Sequence, residues 1–402
     1  VTKKLIDKIL EYSDPYNALK EKVSVTDNKI TVDGESFTFN KPILIAVGKA
    51  SIPMSKFFVE RIHFVDKLIV VPKNAKADNY VIRAGHPLPD ENSIKAGEKA
   101  IELLNSNDYD LVIFAISGGA SAMIETSELS LEELIYINKT LISSGLGINS
   151  INIVRKHLSK IKGGKIINYV KNNATVLSFI VSDVPGNDVS SIGSGLTAVD
   201  HSTLNDAINI LKKLNLHKYI NYLTETPKEF KHVVKNFVIL DNMSVLKRLS
   251  TDLANSLILT SEIRGEAKDV GSFLASIYNS IDSYSLPLKR SSYIILGGEP
   301  EVTITGKAGK GGRNGEVCLS FLKYVRKNNS KFELLAFATD GIDGNSEYAG
   351  CIVSQDIKLD ESEIDKALET HSSYEILEKY NAVIKTGYTN TNVNNIYVLN
   401  AP

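Results

Sequence analysis

The chain has almost no net charge: 46 Lys and Arg against 47 Asp and Glu leave −1 over 402 residues. No global field recruits nucleic acid or an anionic membrane, so any anion binding must be local. Cysteine is nearly absent. Cys318 and Cys351 stand in apolar surroundings without metal-ligand spacing and read as reduced core thiols. No apolar run approaches membrane-spanning length, and Val1-Thr-Lys-Lys-Leu-Ile6 lacks the apolar centre of a secretory leader. The expectation is a soluble cytoplasmic protein, in which sequons such as Asn173-Ala-Thr175 are chance. Two glycine signatures are missing as well. The G-x-x-x-x-G-K-[ST] spacing occurs nowhere, and no strand-to-helix turn of the first half carries G-x-G-x-x-G. Long repeats and low-complexity tracts are also lacking.

What is present is ordinary globular composition, 43% hydrophobic and 23% charged, in a chain long enough for two or three domains. A helix-like piece, Leu5 to Tyr12, precedes an alternating stretch from Val23 to Gly34 that reads as a hairpin turning at Asp27-Asn28. Continuous aliphatic runs follow: Ile43–Val47, Lys67–Val71, Leu111–Ile116 and Val176–Val181. Runs without alternation indicate strands covered on both faces, hence a parallel sheet flanked by helices. Helical stripes fall at Ser150–Ile161 and Leu204–Leu214. The charged segment Thr224–His232, broken by Pro227, marks a boundary near residue 230. Phe237–Leu240 then opens a second half with strands at Leu257–Thr260, Tyr293–Leu296, Val302–Thr305, Leu334–Ala338 and Ile352-Val353. The fold class is α/β in two domains. Residues 1–230 form a Rossmann-like parallel sheet with helices on both faces. Residues 231–402 form an α/β domain with a mixed sheet, its last residues free to pack back on the first.

Polar turns at strand ends carry the candidate chemistry. Gly306-Lys-Ala-Gly-Lys-Gly-Gly-Arg-Asn-Gly-Glu316 combines glycines and cations before an amphipathic segment with Val317, Phe321 and Tyr324 on one side. Such a loop is either a polyphosphate site or a flexible basic hairpin. Ser117, Gly118, Gly119, Ala120 and Ser121 form an amide-rich concavity suited to phosphate or carboxylate, or else pack helix on sheet. Lys49 follows a buried strand and either reaches an anion or is solvated. His157 and Lys160 end a helix where they grip substrate or simply cap. Asp183 and Asp188 stand where Mg²⁺ or an acceptor hydroxyl would be met; turn capping is the alternative. Asp340, Asp343 and Glu299 repeat that choice in the second half.

At these segments the sequence resembles the ATP-dependent glycerate 2-kinase family, formerly called hydroxypyruvate reductases. The matching pieces are Val47–Ser51, Ala84–Asp90, Ser117–Ala122, His157–Gly164, Ser182–Asp188, Gly297–Glu299, Gly309–Asn314, Ala338–Gly344 and Thr391–Asn394, in family order. Ala120, Pro300-Glu301 and Gly315 depart from the pattern without removing a charged candidate. The resemblance implies two α/β domains with the active site in the cleft between them, closing on binding. It implies transfer of the ATP γ-phosphate to the 2-hydroxyl of D-glycerate with Mg²⁺ or another divalent cation. Lys49, Asp183 and Arg313 are then the catalytic candidates. Ser117–Ser121, His157 and Lys160 would bind substrate or phosphate. Gly309, Gly311, Gly312, Asn314 and Glu299 would bind nucleotide, and Asp188, Asp340 and Asp343 metal. ATP and D-glycerate are the expected partners, with no nucleic acid or membrane and a homodimer left open. Two other classes remain: an NAD(P)H-linked hydroxypyruvate reductase and a nucleotide-binding sensor without turnover.

Overall fold

The aliphatic runs do become sheet strands, and their order places the polar turns. The computed structural model describes residues 2–402 except 79, 107, 172 and 327–329. The hairpin is β1 (Val23–Thr26) and β2 (Lys29–Val32), turning at Asp27-Asn28 and extended antiparallel by β3 (Glu35–Thr38). Next come β4 (Pro42–Val47), β5 (Asp66–Pro72), β6 (Ile82–Ala84), β7 (Leu111–Ile116), β8 (Thr175–Val181) and β9 (Val234–Leu240). They form one parallel sheet in the order β6-β5-β4-β7-β8-β9. Every residue of β4 and β7 is buried, which explains the lack of alternation. On one face Ile43, Ile45, Val112 and Phe114 cluster with Ala96, Ala100 and Leu104 of the helix Glu91–Ser106. On the other, Phe58 meets Phe179 at 4.9 Å between ring centroids, and Phe179 stacks on Phe237 at 5.6 Å.

Two compact units emerge: Asp14–Leu240, and Val1–Ser13 together with Asp241–Pro402. The break therefore falls after Leu240 rather than at residue 230. Phe237–Leu240, expected to open the second half, lies in the edge strand of the first sheet. The charged stretch before it is a fixed connection, not a linker: the Thr224 amide donates to His157 O at 2.9 Å, and Thr226 Oγ1 to Asp200 at 3.0 Å. The first helix, Thr2–Tyr12, belongs to the second unit through Lys8–Asp252 (2.7 Å).

The second unit carries β10 (Ser256–Ile263), β11 (Ser292–Gly298), β12 (Glu333–Ala338), β13 (Gly350–Ser354), β14 (Val383–Ile384) and β15 (Asn395–Ala401). Their order is β10-β11-β15-β12-β13-β14, with β10 and β11 parallel and the other pairs antiparallel. The sheet is mixed, as expected. β15, formed by the last residues, is a central strand of this sheet. Val302–Thr305 is not a strand: Glu301 makes a single bridge to Glu266, and Thr303 to Thr305 are exposed. The helix Arg313–Tyr324 is buried from Asn314 to Leu322 rather than amphipathic, and Tyr324 is 51% exposed. Cys318 in this helix is bonded to Cys351 in β13, which corrects the reading of two free thiols. Among the described residues no helix is long and apolar enough to cross a membrane.

Candidate active site

The parallel sheet reverses its winding between β4 and β7, and the turns leaving those strands cross there. Gly48 has φ 119°, and a Cβ on it would stand 2.3 Å from Ser117 Oγ. Only glycine permits so close a crossing. The Lys49 amide donates to Gly118 O (2.9 Å) and the Ala50 amide to Ser117 Oγ (2.9 Å). Lys49 is thus held, half-buried, just ahead of the helix Ser51–Val59. In open parallel sheets the crevice at such a reversal is where ligands bind.

Ser117 is wholly buried and its hydroxyl serves the crossing itself. Ala120 is buried too, its amide taken by Ser117 O at 3.3 Å. The amides of Gly118, Gly119 and Ser121, by contrast, have no hydrogen-bond partner among the described residues. Clustered amides of this kind suit an oxyanion. Ser121 Oγ lies 2.8 Å from Ser194 Oγ. One strand over, Ser182 anchors the turn after β8, its amide donating to Leu240 O at 2.9 Å, and half-buried Asp183 follows it. Asp188 is exposed and accepts from Ser190 Oγ (2.8 Å) and Ser191 Oγ (2.6 Å). Partial burial works to raise its pKa, but these hydroxyls prevail and hold the carboxyl below its ordinary value.

His157 and Lys160 are differently employed. The His157 side chain is fully buried, with Nδ1 2.8 Å from Ile153 O and Nε2 3.2 Å from Glu225 Oε1. Both ring nitrogens are engaged, so the imidazole is a brace. Lys160 reaches Glu128 at 3.3 Å on the surface. Around them lies an ionic cluster that the sequence reading missed: Lys156 with Asp200 at 3.2 Å, and Lys162 with Glu125, all nearly inaccessible. Burial lowers the Lys165 pKa to about 8, against the raising pull of Glu125 and Asp200.

In the second unit Gly298 and Ala338 both pair with Asn395, so the ends of β11 and β12 share one sheet edge. Arg313 ion-pairs there with Glu299. Burial works against the guanidinium charge, but Glu299 and Asp343 more than offset it and raise the pKa further. The glycine loop is largely committed to protein. Gly309 N donates to Thr370 O (2.9 Å), Lys310 N to Glu375 Oε1 (3.1 Å) and Gly311 N to Asn345 Oδ1 (2.9 Å). A Cβ on Gly312 would fall 2.3 Å from Asp343 Oδ2, so the glycines here allow close packing. From Gly309 onward, the amides of Gly312 and Arg313 lack a partner among the described residues. Asn314 is buried and donates to Asn395 Oδ1 at 3.0 Å.

Asp343 is a helix cap. Its Oδ2 accepts from the Asn314 amide (2.9 Å), the Gly315 amide (3.2 Å) and Tyr374 OH (2.6 Å), while buried Oδ1 has no partner. Burial raises its pKa to about 6 despite Tyr374 and Arg313. So enclosed a carboxylate does not fit an exposed metal ligand. Asp340 accepts from the Ile342 amide at 3.1 Å, a tight-turn contact. Among the described residues no three His, Cys, Asp or Glu gather to hold a metal.

A family model described as a domain of unknown function (DUF4147) matches residues 1–225, and the MOFRL family model matches residues 292–395. A glycerate 2-kinase from Sulfurisphaera tokodaii is 53% identical, covering 98% of this chain and 99% of its own length. The chain belongs to the glycerate 2-kinase family. Another family member, from Pyrococcus horikoshii, is 37% identical over 98% of this chain and 95% of its own. A crystal structure of glycerate kinase from Thermotoga maritima aligns with TM-score 0.82 at 32% identity, covering 99% of this chain and 98% of that one. Two residues near the Ser117 turn of this family member escaped the sequence reading as site residues. Ser194 stands in a Gly/Ser run, Ser190–Gly195, that could have flagged it. His86, within Ala84–Asp90, lies over Gly119.

Proposed function

We propose that the protein transfers the γ-phosphate of ATP to the 2-hydroxyl of D-glycerate, giving 2-phosphoglycerate and ADP. It is an enzyme, a glycerate 2-kinase. The observation that carries this reading is full-length likeness to proteins of that name, at 53% identity in one case. Phosphoryl transfer asks for alignment and charge neutralisation more than covalent help. The unpartnered amides of Gly118, Gly119 and Ser121 support a carboxylate site for the acceptor. Lys49, fixed at the crossing with that turn, neutralises transferring phosphate oxygens. Asp183 orients the acceptor hydroxyl and takes its proton. In the second unit Arg313 and the amides of Gly312 and Arg313 hold nucleotide phosphate, with Glu299 as the guanidinium's partner until phosphate replaces it.

A divalent cation, when bound, neutralises phosphate oxygens. Mg²⁺ typically takes one or two carboxylates with phosphates and water rather than a protein cage. Asp188 fits that mode, since it is exposed and its carboxyl is held anionic. Dependence on ATP supports a cytoplasmic location. The turn after β4, Gly48-Lys-Ala-Ser51, lacks the further glycines that a dinucleotide pyrophosphate needs, which speaks against the reductase reading.

The test is a coupled ADP-release assay over a panel of short hydroxy acids, with product regiochemistry read by phosphorus NMR. Release only with D-glycerate and a 2-phosphate product is expected. A 3-phosphate product, or NADPH consumption at 340 nm with hydroxypyruvate, would overturn it.

A further inference from the structure

The segment Ala84–Asp90 follows β6, whose carboxyl end lies on the same edge of the parallel sheet as those of β4 and β7. Its imidazole does not stay over β6. A Cβ on Gly119 would meet His86 Cδ2 at 3.1 Å and Nε2 at 3.5 Å, so the ring lies directly on the Ser117–Ser121 turn. His86 is nonetheless exposed, so it is not placed there to fill a core.

The segment is braced. Asp90 accepts from the Ser93 amide (2.9 Å) and pairs with Lys73 (2.8 Å), while Asn92 Nδ2 donates to Arg83 O (2.7 Å). A Cβ on Gly85 would stand 2.6 Å from Leu88 O, so the backbone folds tightly just before the imidazole. An exposed, polar ring on a braced loop is thereby presented to a turn whose amides at 118, 119 and 121 have no partner among the described residues.

We infer that His86 is a substrate-contacting residue that donates a hydrogen bond to the carboxylate of the acceptor held at the Ser117–Ser121 turn. The inference rests on the acceptor reading above. Neutral imidazole has one N–H and the cation two, so the ring can donate in either state. An oxyanion gripped by turn amides on one side and by an imidazole on the other is fixed in orientation, which makes His86 a determinant of acceptor selectivity. The shared chemistry, an oxyanion, could also be an ATP phosphate, so the experiment separates the two.

Steady-state kinetics with each substrate varied, on the full chain and on His86→Ala and His86→Gln, reads it. The expected result for His86→Ala is a KM for D-glycerate raised roughly ten- to hundredfold, the cost of a lost hydrogen bond to a charged group. KM for ATP and the melting temperature should stay within error. Gln keeps a donor, so His86→Gln should recover part of the loss. Calorimetric titration of D-glycerate without ATP should show the same weakening. An unchanged KM for D-glycerate, or a rise confined to ATP, overturns the inference. Failure of the wild-type chain to phosphorylate D-glycerate sinks the acceptor reading instead, and is distinguishable because it precedes any comparison of variants.

Discussion

At the scale of single residues, the two most informative side chains of the second unit differ in how far water reaches them. Arg313 and Glu299 keep 34% and 43% of their side chains exposed, so their ion pair contributes little to stability. A planar guanidinium grips phosphate in a way an ammonium cannot reproduce. Arg313→Lys is therefore expected to lower kcat roughly a hundredfold, as loss of a charge-stabilising donor does, with an unchanged circular-dichroism melt. Full turnover by correctly folded variant would remove Arg313 from the chemistry. Asp343 is the reverse case. Its pKa, raised to about 6 by burial, lies above the ordinary 3.8. Between those values the folded state binds the proton more tightly than the unfolded chain. Stability from this group is thus greatest in acid and falls as pH rises through 6, by on the order of 2–3 kcal/mol. Urea titrations between pH 4 and 7 on wild type and Asp343→Asn isolate the effect: the variant should lose that downward slope. Parallel pH profiles for the two proteins would show that Asp343 titrates normally.

At the scale of elements, the helix Arg313–Tyr324 is held from three sides. Its N-terminus rests on the Asp343 carboxylate, Cys318 is bonded to Cys351, and Gly271 of the helix Ala267–Tyr284 approaches so closely that a Cβ would stand 2.3 Å from Val317 O. The disulfide closes a separation of 33 residues, and a loop of that size corresponds to about 3–4 kcal/mol of chain-entropy stabilisation. Cys351→Ser should lower the melting temperature by several degrees, and thiol titration of unfolded, unreduced wild type should find none. Two free thiols would refute the bond. The strand that carries Arg313's neighbours shows why elements resist reading from sequence. Asn395–Ala401 follows a polar Thr/Asn stretch with no turn signal of its own, yet packs centrally between β11 and β12. Val302–Thr305 alternates like a strand but joins no sheet among the described residues.

At the scale of the whole molecule, Asp14–Leu240 is a continuous stretch with its own sheet and hydrophobic core. Expressed alone it should unfold cooperatively and be stabilised by D-glycerate in a thermal shift, but transfer no phosphate, since Arg313 is absent. Non-cooperative melting would deny it a separate core; turnover would remove the second unit from the reaction.

The sequence by itself determined the buried strands β4, β5, β7 and β8, the polar turns at their ends and the order of motifs along the chain. Aliphatic continuity and glycine placement are local properties, and they are written residue by residue. Only the tertiary structure decided that β9 joins the first sheet, that His157 and Asn314 are braces, that Asp343 caps a helix and that His86 lies on Gly119. Each of those depends on which distant partner arrives beside a side chain, and burial by that partner converts the same Asp, His or Lys from a ligand-facing group into a structural one.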